Sequence, residues 1–485
     1  VSAAEHGIEQ TPIPGLLVVS LPVHGDNRGW FKENWQREKL MSLGLPDFGP
    51  VQNNISFNAK AGTTRGIHAE PWDKYVSVAA GRIFGAWVDL RDGPTFGQTF
   101  CLELGPDKAV FVPRGVGNGF QTLEPDTVYN YLVNEHWNAR AQEQYVYLNA
   151  GDESAAIPWP IPLAEAELSE KDLHHPRLPS VVPMKPQRIL VLGADGQLGR
   201  ALRQALPDAE FAARVDFDLT AEESYRSRDW SGYRAIINAA AYTDVDGAES
   251  SEGRRLAWQL NATAVSRLAS TAATHRLTLI HLSSDYVFDG SQEPHTEAET
   301  PSPLGVYGQS KAAGDAAAAT APKHYIVRTS WVVGDGTNFV RTMAGLAARN
   351  VAPSVVDDQR GHLTFTRDLA AGILHLLESG APYGTYNVTN SGPVTSWADV
   401  AAEIYRLLGK DPQQVTPVST ADYLASRPAA PRPARSALDL AKIEAAGFSP
   451  PKAFAALRDY LATDPVCGPL AAGMHPLTVS GGPAQ

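Results

Sequence analysis

Up to about residue 160, short runs alternate apolar with polar positions, as in YVSVAAGRIFGAWVDL (75–90) and KAVFVPRGV (108–116), and Gly, Pro, Asp and Asn turns separate them. A period of two bounded by turn residues predicts strands, and many short strands in series predict an all-β sandwich or barrel. Helical spacing is scarce there, apart from a turn or two around QREKLMSLG (36–44). From residue 188 the texture changes. Apolar strands RILVLG (188–193), AIINAAA (235–241), TLIHLSS (278–284) and HYIVRTS (324–330) alternate with Ala-rich helical segments. That order predicts a parallel sheet with helices on both faces, an α/β unit. Between the two textures, LSEKDLHHPRLPSVVPMKPQ (168–187) carries four prolines. The pattern therefore predicts two domains, 1–170 and 188–464, joined by a linker at 171–187. The Gly-, Pro- and Ala-rich end, 465–485, is expected to be a flexible tail.

Bulk properties narrow the function. Of 485 residues, 43% are hydrophobic and 19% charged, the balance of a soluble globular protein. The net charge of −12 and the lack of a Lys/Arg-dense block speak against nucleic-acid binding, while leaving room for a local basic pocket that takes a phosphorylated small molecule. Two cysteines, Cys101 and Cys467, offer neither a disulfide framework nor a Cys-x-x-Cys metal site. No apolar run reaches membrane-spanning length, and VSAAEHGIEQ does not read as a signal peptide, so a cytoplasmic location is expected.

In the second half, the strand at 189–192 runs into a turn carrying Gly193, Gly196 and Gly199, with a helix opening at Leu198. Glycines there let backbone approach a pyrophosphate at the positive end of a helix. Downstream lies Tyr307-x-x-x-Lys311, with Ser284 at a strand end. Residues four apart share a helix face. An ammonium beside a phenol favours the phenolate and brings the tyrosine toward a pH where it passes a proton. A carbonyl reduced by hydride needs such a donor, and the Ser284 hydroxyl can hold its oxygen. In isolation the same pair is a packed aromatic and a solvated charge.

The motifs GADGQLG, AAAYTDVDGAE, SSDYVFDG, VYGQSK, RTSWVVG, DDQRGHLTFTRDLA and RPARSAL resemble the dTDP-4-dehydrorhamnose reductases, which are extended short-chain dehydrogenases, over nearly all of 188–461. The resemblance implies a Rossmann-type fold and a catalytic set of Ser284, Tyr307 and Lys311. It implies Thr243, Val245, Asp285, Tyr286 and Trp331 at the sugar. Gly193, Asp195, Gly196, Gln197, Leu198, Gly199, Asp218, Ala239, Ala240 and Ala241 would serve the cofactor with Tyr307 and Lys311. The second strand should end near AEFAARVDFDL, where Arg214 suits the 2′-phosphate of NADPH. Arg214 reads equally well as a solvated surface arginine, which keeps NADH open.

In the first half, HGDNRGWFKENW, TTRGIHAEPWDKYV and LSEKD hold Arg28, Arg65, His68, Lys74 and Asp172. Taken alone, His68 is a surface or core histidine and LSEKD a helix-capping turn. In order along 10–180, however, DNRGWFKE, VQNNISFNAKAGTTRGIH, GRIFGAWVDLRDGPTFG, VFVPRGVGNGF, IPWP and LSEKD resemble the dTDP-4-dehydrorhamnose 3,5-epimerases, jelly-roll proteins of the cupin type. The resemblance implies His68 as the base beside a C4 ketone, Asp172 orienting it, Lys74 stabilising the enolate oxygen and Tyr131 returning the proton. Arg28, Glu33, Gln52, Asn54 and Arg65 would hold the nucleotide diphosphate, part of this set reaching across a homodimer interface. No metal is expected, because RGIHAE supplies one histidine where metal-binding cupins cluster several. The chain departs from the epimerase pattern at Asn118 (usually His), Gly85 (usually Asp), Trp137 (near a usual Tyr) and Glu70 (commonly Gln). Three readings stay open: a working epimerase, one acting at a single carbon, or a domain kept for dimerisation. The combined expectation is a bifunctional enzyme that epimerises dTDP-4-dehydro-6-deoxy-glucose and reduces the product to dTDP-L-rhamnose. Its rivals are a reductase with an altered or inactive first half, and a non-catalytic nucleotide-binding regulator.

Overall fold

Alternation sets the architecture of the first half. Leu17, Val19, Tyr75, Ala109 and Phe111 pack on one side of a sheet, while Val18, Val76, Val110 and Val112 pack on the other. The computed structural model describes residues 6–137, 139, 141–425 and 429–468. The chain divides into two compact units between Pro186 and Gln187.

The first unit contains β1 (Gly7–Gln10), β2 (Leu17–Ser20), β3 (Val23–Asp26), β4 (Gly29–Lys32), β5 (Gln52–Asn58), β6 (Thr64–Ala69), β7 (Lys74–Ala80), β8 (Ile83–Asp89), β9 (Thr99–Leu104), β10 (Lys108–Val112), β11 (Val116–Thr122), β12 (Thr127–Val133) and β13 (Val146–Tyr147). Two antiparallel sheets, ordered β1-β2-β10-β7-β12-β5 and β13-β6-β11-β8-β9, face each other. Between them lie Val76, Val78, Val110 and Tyr129 from one sheet and Ile83, Trp87, Leu104 and Phe120 from the other. β3 and β4 form a separate hairpin, and the helix Arg37–Ser42 covers the outer face of the first sheet through Leu40.

The segment 171–187 corrects the expectation of a linker. Val181 and Met184 are buried with Ile67, Val88 and Leu90 on the outer face of the second sheet. The Met184 N–H donates to the Leu90 carbonyl at 2.8 Å. Its prolines interrupt regular structure without preventing packing.

In the second unit, β14 (Arg188–Leu192), β15 (Glu210–Ala212), β16 (Tyr233–Asn238), β17 (Thr278–Leu282), β18 (His324–Arg328) and β19 (Gly384–Asn387) form one parallel sheet. Its order is β15-β14-β16-β17-β18-β19. Leu190 and Leu192 join the core on one face, Ile189 and Val191 the core on the other, so helices cover both sides. Strand order reverses at β14, with β15 on one flank and β16 on the other; a crevice opens beyond the strand ends at such a point. A third core packs the helices Phe339–Ala348, Trp397–Leu407 and Ala453–Thr463.

The expected tail also needs correcting at its start. Cys467 is fully buried in that third core, and the N–H groups of Val466 and Cys467 each donate to Asp464 at 3.0 Å. The rest of the tail, 469–485, lies outside the described residues. Among the described residues, no helix is long and apolar enough to cross a membrane.

Candidate active sites

A cavity of about 1020 Å³ in the first unit is lined by His68, Glu70, Lys74, Asn118, Tyr131, Asp172 and His175, with Arg65 at its wall. His68 stands on β6, and the short helix Glu170–Leu173 brings Asp172 to it. Ser169 caps that helix, its hydroxyl accepting the Asp172 N–H. His68 Nε2 lies 2.7 Å from Asp172 Oδ1, and His175 Nε2 lies 3.1 Å from the same oxygen. Burial pushes the Asp172 carboxyl up, but the His68 hydrogen bond and charge, the Ser169 hydroxyl and the His175 charge outweigh it. The group ends below its ordinary value. Burial, and then the nearby His68 charge, hold His175 below its usual value, which favours the neutral ring.

Buried Lys74 pairs with the part-buried Glu70 at 2.5 Å, and the Trp72 indole donates to the second Glu70 oxygen. The Lys74 ammonium sits 5.4 Å from the centre of the Tyr131 ring. Burial raises the Tyr131 phenol, and the Glu70 charge adds to the rise.

The departures from the epimerase pattern have a packing account. Asn118 pairs with His68 across β11–β6 and with Trp87 across β11–β8. Its amide donates to the buried Tyr129 hydroxyl at 3.1 Å. At Gly85, a Cβ would meet the Trp87 ring at 2.4 Å, so the indole fills the space an aspartate would need. Trp137 is exposed and outside the cavity lining, whereas Tyr145 and Tyr147 line it. Neither these two tyrosines nor His175 stands out in the sequence. The strand pairing Tyr147↔His68 brings one in, and Tyr147 then stacks on His175 at 4.5 Å.

Arg28, Glu33, Gln52 and Asn54 do not line this cavity. Arg28, at the β3–β4 turn, is 83% exposed and held by Asp26. Glu33 pairs with Lys39, and Gln52 donates to Asn54 on the edge strand β5. Of the five residues expected at the nucleotide, in part across a dimer interface, Arg65 is the one that lines this cavity within its own chain.

In the second unit a cavity of about 850 Å³ opens at the strand-order reversal. Gly193, Asp195, Gly196, Gln197, Leu198, Arg214, Asp218, Ala239, Ala240 and Ala241 line it. So do Thr243, Val245, Ser284, Asp285, Tyr286, Tyr307, Lys311 and Trp331. Gly199 alone of the expected set is absent from the lining; it lies behind the turn, where a Cβ would strike the Gly193 carbonyl. Gly193 itself needs φ +84°, and a Cβ there would lie 2.7 Å from the Ala240 nitrogen. The helix Gln197–Ala205 opens at Gly196 with no side-chain cap, leaving its first N–H groups aimed at the turn. Arg214 is 81% exposed and 3.6 Å from Asp218. A narrow glycine cradle, helix N-terminal N–H groups and a largely exposed, weakly paired guanidinium suit a phosphorylated dinucleotide.

The Ser284 hydroxyl donates to Asp285 at 2.9 Å and accepts the Tyr286 N–H. Burial lifts Asp285 to about 6, against the pull of Ser436 and Ser284. Lys311 is buried, donates to the Leu282 carbonyl, and is brought down to about 8 by burial. The expected lowering of Tyr307 by Lys311 is corrected here: burial drives the phenol up to about 12, and the opposing pull comes from the Ser284 hydroxyl. Trp397, missed from sequence, stacks on Trp331 with ring centres 3.8 Å apart and lines the same cavity.

Each unit matches a known family. The family model described as RmlD substrate binding domain matches residues 187–464, and that of dTDP-4-dehydrorhamnose 3,5-epimerase matches residues 10–180. A protein from Streptococcus pyogenes serotype M6 named as an RmlC homolog is 51% identical over 180 residues, 36% of this chain and 90% of the relative. A dTDP-4-dehydrorhamnose reductase of Mycobacterium tuberculosis is 39% identical over 282 residues, 55% of this chain and 89% of the relative. The crystal structure of the Bacillus anthracis dTDP-4-dehydrorhamnose reductase in complex with NADP is 33% identical. Its TM-score is 0.52, and the match covers 56% of this chain and 98% of that one. On these matches, the chain belongs to the dTDP-4-dehydrorhamnose reductase family in its second unit and to the dTDP-4-dehydrorhamnose 3,5-epimerase family in its first.

Proposed function

We propose that the two units carry out consecutive steps on one nucleotide sugar, the first a cupin-type jelly roll and the second a Rossmann-type reductase. The observation that carries the reading is that each unit lines one cavity with a full set of proton-handling groups. In the first, His68 removes the proton beside the C4 ketone of dTDP-4-dehydro-6-deoxy-glucose, and Asp172 orients and charges the imidazole. Lys74 faces the developing enolate oxygen, with Glu70 fixing its position. Tyr131, a phenol kept protonated by its surroundings, returns the proton.

In the second unit, Ser284 holds the C4 carbonyl oxygen, and Tyr307 delivers the proton to it as the carbonyl is reduced. Lys311 holds positive charge against the strand end beside it. NADPH, when bound, supplies the hydride. The Gly193 turn and the helix N-terminus would hold its pyrophosphate, and Arg214 its 2′-phosphate. The product is dTDP-L-rhamnose. Reduction draws a reversible epimerisation forward, which gives the fusion its chemical sense.

The first unit is also proposed to pair with a second copy of the chain. Ile55 and Phe57 on the edge strand β5 are 67% and 61% exposed, and Phe31 on the β3–β4 hairpin is 69% exposed. Exposed apolar side chains on one edge strand and one hairpin fit an interface. Arg28, Gln52 and Asn54 share these elements, Glu33 follows the hairpin directly, and all four would serve the partner's cavity.

The test measures NADPH consumption by the full-length protein with dTDP-4-dehydro-6-deoxy-glucose, alongside His68→Ala and Tyr307→Phe. Consumption lost in both variants supports the two-step reading. Undiminished consumption in His68→Ala removes the epimerase from it.

A further inference from the structure

The first unit brings together three groups that the sequence keeps apart. His68 Nε2, Asp172 Oδ1 and His175 Nε2 all lie within 4.8 Å of one another. Among the described residues, no other group of three or more His, Cys, Asp or Glu side chains meets this condition. Only one of these histidines belongs to the motif that argued against a metal. The other arrives with the segment 171–187, which packs onto the sheet.

We infer that His68, Asp172 and His175 form a binding site for a divalent first-row transition ion, such as Zn²⁺ or Co²⁺, and that a bound ion competes with proton transfer at His68. Two imidazoles and one carboxylate are the donor set such ions take in sites that keep a further position open. Both Nε2 atoms already converge on one carboxylate oxygen, at 2.7 and 3.1 Å. Ligands about 2.0–2.1 Å from a tetrahedral zinc lie about 3.3 Å apart, so the closer pair must open by roughly half an ångström. The supports for that geometry are in place. Tyr147 stacks on the His175 ring at 4.5 Å and meets the His68 ring edge-on at 5.3 Å. Ser169 fixes the backbone of Asp172. Such outer contacts orient metal ligands. The open side faces the cavity of about 1020 Å³, which leaves room for water at the remaining position.

The ion would take the Nε2 lone pairs, so both imidazoles would carry their protons on Nδ1. His68 would then have no lone pair facing the cavity with which to accept a proton from carbon. Binding stands independently of the epimerase reading; the loss of proton transfer rests on it.

The experiment titrates Co²⁺ into tag-free, full-length protein. It follows the visible absorption of the bound ion, then measures deuterium wash-in from solvent into dTDP-4-dehydro-6-deoxy-glucose without NADPH. The wild type should take up about one equivalent per chain in a low-coordinate site. In His175→Ala, binding should weaken by at least about tenfold. His174→Ala, altering the neighbouring histidine outside the cluster, should bind as the wild type does, and unchanged melting curves should show that both variants fold. No Co²⁺ spectrum in the wild type, or equal loss in the two variants, overturns the site. Wash-in that continues with the ion bound overturns the competition. No wash-in even with EDTA defeats the epimerase reading and leaves the site standing on its spectrum.

Discussion

His68 Nε2 lies 2.7 Å from Asp172 Oδ1, although 104 residues separate the two in the chain. The contact joins the C-terminal end of a sheet strand to a helix of a single turn, and a serine cap holds that turn in place. A pair assembled this way depends on the docking of 171–187 as much as on the histidine itself.

Asp172→Asn keeps the shape of the side chain and removes its charge. Deuterium wash-in should fall by about 10²–10⁴, the usual worth of a positioned base. The carboxyl lies below its ordinary value in the folded chain. Its stabilisation is therefore complete above the unfolded value of about 4 and disappears as pH falls through the lower folded one. Urea midpoints of wild type and variant should converge as pH is lowered past 4.

Tyr307→Phe removes the proposed proton donor from the second cavity. NADPH oxidation should drop by about 10²–10⁴, while NADPH still binds, as its fluorescence on addition to the variant would report. Loss of binding together with loss of turnover would make Tyr307 a cofactor contact only.

Asp285 supplies a pH test of the same cavity. Its carboxyl keeps a proton up to about 6 when folded, against 3.8 ordinarily. Between those values the folded chain binds more protons than the unfolded chain, so this group's contribution to stability falls as pH rises through the window. Asp285→Asn is free of that loss. Relative to wild type it should gain up to about 3 kcal/mol between pH 4 and pH 7, because each tenfold difference in proton affinity is worth about 1.4 kcal/mol. Parallel urea curves at the two pH values measure the difference.

These sites were unequally legible in the sequence. The second cavity was almost entirely so, because strand, glycine turn and helix are contiguous and Tyr307 and Lys311 share one helix. Trp397 was not, since it starts a helix 66 residues beyond Trp331 and meets it only through packing. Spacing located the Tyr307/Lys311 pair, but burial decides its protonation, and spacing carries no measure of burial. In the first unit, His68 and Asp172 stood in recognisable motifs, whereas His175 lies in a run with the proline pattern of a linker. Four prolines report irregular backbone; they do not report that Val181 and Met184 are apolar residues with a core to enter. The alternating strands of the first sheet were plain, because one period of two fills a core on each face.

The proposed preference for NADPH is testable at Arg214. With 81% of its side chain exposed and Asp218 3.6 Å away, it is weakly committed within the protein and free to meet a phosphate. Arg214→Ala should raise the KM for NADPH at least about tenfold, the effect of losing one charge-assisted contact of about 1.5–3 kcal/mol, and leave the KM for NADH nearly unchanged. Equal effects on both would return Arg214 to the solvated surface.

The placement of Arg28 makes the proposed pairing testable by mixing subunits. Arg28 does not line the cavity of its own chain, and the exposed Phe31 and Ile55 stand on the hairpin and edge strand that carry Arg28, Gln52 and Asn54. Arg28→Ala and His68→Ala should each abolish or cripple wash-in when pure, by different routes. If Arg28 acts in the partner's cavity, a mixed dimer contains one cavity with a native His68 and a native Arg28, and one with neither. Random exchange makes half the dimers mixed, so an equal mixture should recover about a quarter of wild-type wash-in per chain. If Arg28 serves its own cavity, every cavity in the mixture lacks one residue or the other and nothing is recovered. Sedimentation of each variant alone shows whether the dimer survives the substitution, so that recovery, or its absence, reads the path of Arg28 and not a loss of assembly.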